Sequence, residues 1–364
     1  RRYATDAECD AMAEEVERAV DEGALGLSSG LQYFPGSQSD TREMVRLGRA
    51  LKGHDGVFAC HLRSYSANTL PQAIDEVVEV ARTNGIPGQI SHIFSIPIYG
   101  PFGRPLRAGI RALAKLSEHW TLPLPLEGPL RQCVDRMLGA IERGADIGMD
   151  IMPSTTGFTH LLAFFPPWPL EASRDDIIAR LRDPECRARI RRAIEHGKMK
   201  WPHVEDDSWS LNLFRLMGWE CCRIMAVASE KNKHYEGMRL VDIAHDHGKH
   251  PLDAACDLLL EEDGHVLVFE SMAQPEDNLT ERTTFAPIRH PQVSISTDTI
   301  LMGMGRPSML FSGCYPKFLG RYVREKHLLP LETAIHKITG LPATHFRLKG
   351  RGQIAEGAFA DVLI

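Results

Sequence analysis

Two apolar runs, each closed by one histidine and separated by a helix-length segment, constrain this chain more than any other feature. "VFACHLRS" (residues 57–64) turns polar at His61, and "IPGQISHIFS" (residues 86–95) does so at His92, 31 positions later. Short apolar runs bounded by turn formers read as buried strands. Between them, "LPQAIDEVVEVARTNG" (residues 70–85) has helical periodicity and ends in Asn84-Gly85, as a helix C-cap does. Strand, helix, strand implies parallel strands joined by a right-handed crossover. Each histidine then stands at a strand's carboxyl end, where such folds gather their ligands.

The alternation continues along the chain, and the fold class it predicts is α/β. "TDAECDAMAEEVERAVDEG" opens with Thr5 as N-cap and closes at Gly23 as an amphipathic helix; "ALGLSSGL" follows as a strand. A helix is expected over 40–52. "PLRQCVDRMLGAIERG" reads as another helix, leading to "ADIGMDIMPS", a strand that carries Asp150. "PQVSISTDTI" reads as a strand delivering Asp298, with helical stretches expected at 316–327 and 331–339.

Bulk properties exclude several functions. A net charge of −6 argues against sequence-independent nucleic-acid binding, which needs a basic face. Eight cysteines with no CxxC pair fit a reducing compartment, so the expected location is cytoplasmic. No apolar run is long enough to span a bilayer, and no membrane partner is expected. With 364 residues, the chain can form one large barrel or two domains.

A single histidine after a strand is ordinarily a satisfied turn residue. Two at equivalent positions, with Asp298 at a third, form a pattern suited to a metal. Imidazole and carboxylate are donors that zinc accepts, and catalytic zinc sites leave one position for water. "IAHDHGKH" looks more like a metal cluster, yet His245, His247 and His250 fall where one helix ends and the next begins, so they read as a solvated helix terminus. Cys221-Cys222 reads as core packing.

"EGALGLSSGL", "ACHLRS", "GIPGQISH", "ISTD" and the closing "LPLETAIHKITGLPATHFRLKGRGQIAEGAFADVLI" together resemble the N-acyl-D-amino-acid deacylase (D-aminoacylase) branch of the amidohydrolase superfamily. That resemblance implies a (β/α)8 TIM-barrel hydrolase with zinc, one or two ions, at the carboxyl ends of its strands. It implies that residues 1–159 supply strands four to seven, that 160–285 form an inserted region, and that 286–345 return to strand eight and the terminal helices. Residues 346–364 would then enter a small β domain, with "GAFADVLI" as a strand cut off mid-run. Strands one to three would lie outside the chain, and the isolated piece is expected to be inactive and poorly soluble, its strand edges being open.

By the same resemblance His61 and His92 are metal ligands and Asp298 is the catalytic base that becomes an acid. Arg63, Met152 and Arg306 are expected near the substrate, a small-molecule amide. Met152 stands where the family has an oxyanion-binding tyrosine, and Leu310 where it has an arginine that grips the substrate's carboxylate. Two other readings stay open. One is a cyclic amidase of the hydantoinase or dihydroorotase type, although "ALGLSSGL" lacks the lysine those enzymes use. The other is a non-catalytic homologue.

Overall fold

The computed structural model describes residues 2–98, 103–120, 123–201, 209–271, 277–299, 303 and 305–363. Five strands form one parallel sheet: β1 (Gly26–Gly30), β2 (Val57–His61), β3 (Gly88–Ile90), β4 (Ile147–Ile151) and β8 (Val293–Ile295), in that spatial order. The three strands that lie between β4 and β8 in the chain are β5 (Thr156–His160), β6 (Cys222–Val227) and β7 (Val266–Ser271). They make a separate antiparallel sheet in the order β5-β7-β6.

The crossovers follow from local sequence. Helix α1 (Asp6–Asp21) begins with a reciprocal capping box: Glu8 N–H donates to Thr5 Oγ1 at 3.3 Å, and Thr5 N–H donates to Glu8 Oε2 at 2.8 Å. Helix α2 (Thr41–Gly48) is capped by Asp40 and connects β1 to β2. Helix α3 (Leu70–Asn84) connects β2 to β3, burying Ala73, Ile74, Val77, Val80 and Ala81 along one face. It ends at Gly85, whose φ of +65° is the left-handed conformation that a C-cap glycine adopts without steric cost. Helices α4 (Gly103–Ser117) and α5 (Gly128–Glu142) lie between β3 and β4. Each crossover thus returns the chain to the same edge, and all five carboxyl ends point to one side.

The structure departs from the sequence reading in three places. The helix expected at 316–327 starts earlier, as Leu310–Lys317, and continues as a π-helix over Phe318–Glu325. Pro316 lies inside the first segment and cannot donate the amide that the regular ladder needs, and the wider π turns follow immediately. Strand β8 is only three residues long, so Asp298 sits three residues past its end. The terminal strand does not form: residues 346–363 contain no strand, and Ile354, Val362 and Leu363 are exposed.

Cys221 and Cys222 are both buried, as packing residues are. Among the described residues, no helix is long and apolar enough to cross a membrane.

Candidate functional site

The carboxyl ends of β2, β3 and β8 bring His61, His92 and Asp298 into one neighbourhood. His61 closes β2, and His92 lies two residues past β3. Both His92 and Asp298 have positive φ, +37° and +43°. A side chain with a Cβ adopts that backbone at a cost of about 1–3 kcal/mol, and such residues concentrate at functional sites. Here the His92 ring meets His61, and Asp298 lies close enough to be influenced by His92 and Asp150.

The two imidazoles meet directly, with His61 Nδ1 and His92 Nε2 at 3.0 Å. Their outer nitrogens are also held. His61 Nε2 lies 2.9 Å from Gln32 Oε1, an atom that only accepts, so Nε2 carries the hydrogen. His61 Nδ1 is then a lone pair that takes the His92 Nε2–H. His92 Nδ1 in turn accepts from the Tyr65 hydroxyl at 3.0 Å, and that oxygen accepts the Leu62 amide at 2.9 Å. Tyr33 packs on His61 with ring centroids 4.6 Å apart. Burial, with His92 alongside, holds the His61 pKa well below its ordinary value, so the ring is neutral at physiological pH.

Asp150 orients the second histidine. Its Oδ1 accepts the His92 backbone amide at 2.7 Å and the Ser296 hydroxyl, while Oδ2 accepts from Gln89 Nε2. Three donors on one carboxylate fix the turn after β3 to β4 and to the loop after β8. Asp150→Asn replaces an acceptor by a donor facing those same groups. It is expected to cost about 1.5–3 kcal/mol of stability, read as a lowered urea midpoint.

Asp298 lies close enough to feel both neighbours. Burial raises its carboxyl above the ordinary carboxylate value; His92 pulls it down and Asp150 pushes it up. Such a group accepts a proton near neutrality more readily than an exposed carboxylate does.

The other expected residues divide. Met152 is buried in the wall of a cavity that Phe94, two residues past His92, also lines. Arg63 is not at the site. Its guanidinium, 1% exposed, is turned toward α3, with Nε on Glu76 Oε2 at 3.1 Å and Nη2 on Glu76 Oε1 at 2.8 Å. It also donates to Ser37 O and Ser39 Oγ, each at 3.3 Å. Arg306 is exposed and packs over Gly237 of the segment after β6, where it borders a groove with Arg223 and Phe269. Neither arginine is beside the histidine pair. His250 caps the helix Pro251–Glu261 and His247 accepts from or donates to the Tyr235 hydroxyl, in keeping with a helix-terminus role for that cluster.

Sequence reasoning missed Gln32, Tyr65 and the orienting function of Asp150. Tyr65 and Asp150 had a signal, since both follow or end a strand whose neighbour carries a site histidine. Gln32, two residues past β1, occupies the same kind of position.

Two nitrogens on one tetrahedral zinc, each about 2.0–2.1 Å from it, stand about 3.3–3.4 Å apart. The observed 3.0 Å is within a few tenths of that, and each ring is tethered at its outer nitrogen, as zinc-binding imidazoles are. Among the described residues, no group of three or more His, Cys, Asp or Glu converges as a metal shell. The pair is therefore a fitting but partial donor set.

The parallel sheet with a polar cluster at its carboxyl ends shares its α/β fold with a solved D-aminoacylase described as defining a novel subset of amidohydrolases. No family model matches the chain. It is similar to D-aminoacylase of Alcaligenes xylosoxydans xylosoxydans, at 25% identity over 364 residues, covering 100% of this chain and 56% of that protein. It is similar also to the N-acyl-D-glutamate deacylase of the same organism, at 26% identity over 356 residues, covering 97% of this chain and 54% of the relative. The chain spans about half the length of the curated relatives it matches. Among solved structures, a D-aminoacylase studied for its binuclear metal center superposes with a TM-score of 0.66 at 24% identity, covering 99% of this chain and 57% of that one. An N-acyl-D-glutamate deacylase from Bordetella bronchiseptica, complexed with zinc and a phosphonate inhibitor, is 23% identical with a TM-score of 0.65, covering 99% of this chain and 56% of its own. The resemblance to N-acyl-D-amino-acid deacylases that the motifs carry is thereby borne out along the whole chain.

Proposed function

We propose that this chain carries part of a metal-dependent site for hydrolysing non-peptide amide bonds, of the N-acyl-amino-acid deacylase kind, with His61 and His92 as zinc ligands. The observation that carries the reading is the histidine pair in contact at 3.0 Å at the strand ends, with Asp298 close enough to be influenced by His92. The five parallel strands would be strands four to eight of a (β/α)8 barrel, and the segment holding β5 to β7 the region inserted before strand eight.

Bound there, zinc would activate a water near neutral pH and polarise the scissile carbonyl. The rest is the work of this chain's residues. Gln32 and Tyr65 hold the imidazoles by their outer nitrogens; with zinc bound, His92 would carry its hydrogen on Nδ1 and donate it to the Tyr65 oxygen, leaving Nε2 free for the metal. Asp150 holds the His92 backbone in its left-handed turn. Asp298 takes the proton that water gives up as its oxygen joins the acyl carbon, then delivers it to the nitrogen as the C–N bond breaks. An amine leaves poorly without that proton. The products are a carboxylic acid and a free amine.

The test is metal dependence in the protein at its full natural length. Dialysis against a chelator is expected to stop amine release from a panel of N-acyl amino acids and neutral amides, and zinc to restore it. Amine release that persists after complete removal of the metal, or none from any amide in the loaded protein, would overturn the reading.

A further inference from the structure

A cavity of about 80 Å³ is lined by residues that follow the carboxyl ends of β3 and β4. Phe94, in its wall, stacks on Tyr65 at 4.0 Å between ring centroids, and Tyr65 in turn bonds His92. Ile96 and Met152 continue that wall from the parallel sheet; Met217 and Thr284 close it from the other side. Glu270 of β7 is the one ionisable side chain among the described lining residues.

Glu270 is built into this position. On the antiparallel sheet it stands opposite Gly157 of β5. A Cβ at residue 157 would fall 2.9 Å from Glu270 Oε1 and 3.2 Å from its Cγ, so the glycine leaves the space into which the carboxyl folds. Its Oε2 is shielded from solvent and has no hydrogen-bond partner. Native proteins pair buried carboxylates, and an exception calls for a ligand or a cost of several kcal/mol. Burial raises this carboxyl to about 7, with the charge of Asp298 pushing the same way.

Among the described residues that line the cavity there is no lysine or arginine. Arg223 stands opposite Phe269, the residue before Glu270, and so lies on the other face of the sheet. Leu310, at the position where the resembled family has its carboxylate-gripping arginine, is buried and apolar. Among the described lining residues there is thus no cation for an anionic substrate, while Glu270 presents an oxygen without a hydrogen-bond partner.

We propose that Glu270 receives a cationic group of the substrate, a protonated amine, so that the amides cleaved here carry positive charge near the scissile bond. The proposal rests on the amide-hydrolase reading above for the identity of the reaction. Its sign of charge is the reverse of what the names N-acyl-D-glutamate and N-acyl-D-aspartate deacylase imply for two similar proteins.

Binding of small probes tests it without turnover. Titration calorimetry with n-butylammonium, n-butanol and n-butyrate compares the wild-type protein with Glu270→Gln. Butylammonium is expected to bind the wild type at least about tenfold more tightly than butanol, and to lose that advantage in Glu270→Gln. Glu270→Leu provides the second variant: it is expected to raise the thermal midpoint by removing an unpaired buried carboxyl, while also losing the ammonium preference. Equal affinity for butylammonium and butanol, an unchanged preference in either variant, or tighter binding of butyrate at the same cavity would overturn the proposal. Ammonium capture without amide hydrolysis would instead defeat the reading beneath it, so the two failures are distinguishable.

Discussion

Replacing His61 and His92 together by alanine is expected to remove about one metal equivalent per chain and to lower kcat/KM for amide hydrolysis by at least about 10³-fold, or about 4 kcal/mol of transition-state stabilisation. The effect should be steeply non-additive. Each single variant is expected to lose nearly as much as the double, because one imidazole cannot hold the ion in place and the two act as a unit. Mass spectrometry under native conditions gives the metal count, and urea unfolding separates loss of metal from loss of fold. Both rings sit at strand ends rather than within the sheet, and their hydrogen bonds run to side chains more than to the ladder. The metal-free variants should therefore unfold cooperatively. Unchanged metal content in the double variant would make the pair a structural contact.

The largest effect on stability is expected from Arg63 and Glu76. The pair is bidentate and nearly solvent-free, with 1% and 3% side-chain exposure. Glu76 also accepts from Thr41 Oγ1 at 2.9 Å, so the ion pair ties β2, α2 and α3 together. Removing one partner strands a buried charge, and Arg63→Met or Glu76→Gln is expected to lower stability by about 3–5 kcal/mol. The double replacement Arg63→Met with Glu76→Leu should be milder than the sum of the two single effects, since it leaves no orphan charge. Urea midpoints of the three variants check this. A normal midpoint in Arg63→Met, with an altered KM, would return Arg63 to the substrate.

These two predictions show where the sequence was legible. His61 and His92 could be read because a strand's apolar run and its polar end are adjacent in the chain, and the crossover helix announces itself by its period and its Gly85 cap. Asp298 was found on the same argument, although β8 proved too short to reach it. Arg63 could not be understood from its neighbours: its partner lies 13 residues away on a helix, and no local pattern separates a buried pair from a substrate clamp. Glu270 gave no signal at all. It reaches the site through the pairing of β5 with β7, which are more than 100 residues apart, and through a glycine whose purpose is visible only across that pairing. The π-helix likewise depends on where Pro316 falls in a turn that propensity alone does not locate.

The left-handed backbone at His92 and Asp298 has a consequence for anyone who tries to make this protein hardier. Glycine is the residue best suited to both positions, so a screen that rewards only resistance to heat would drift toward it and discard the site. Durability and chemistry pull on the same two residues in opposite directions. A variant library should be sorted by metal retention before it is ranked by melting temperature.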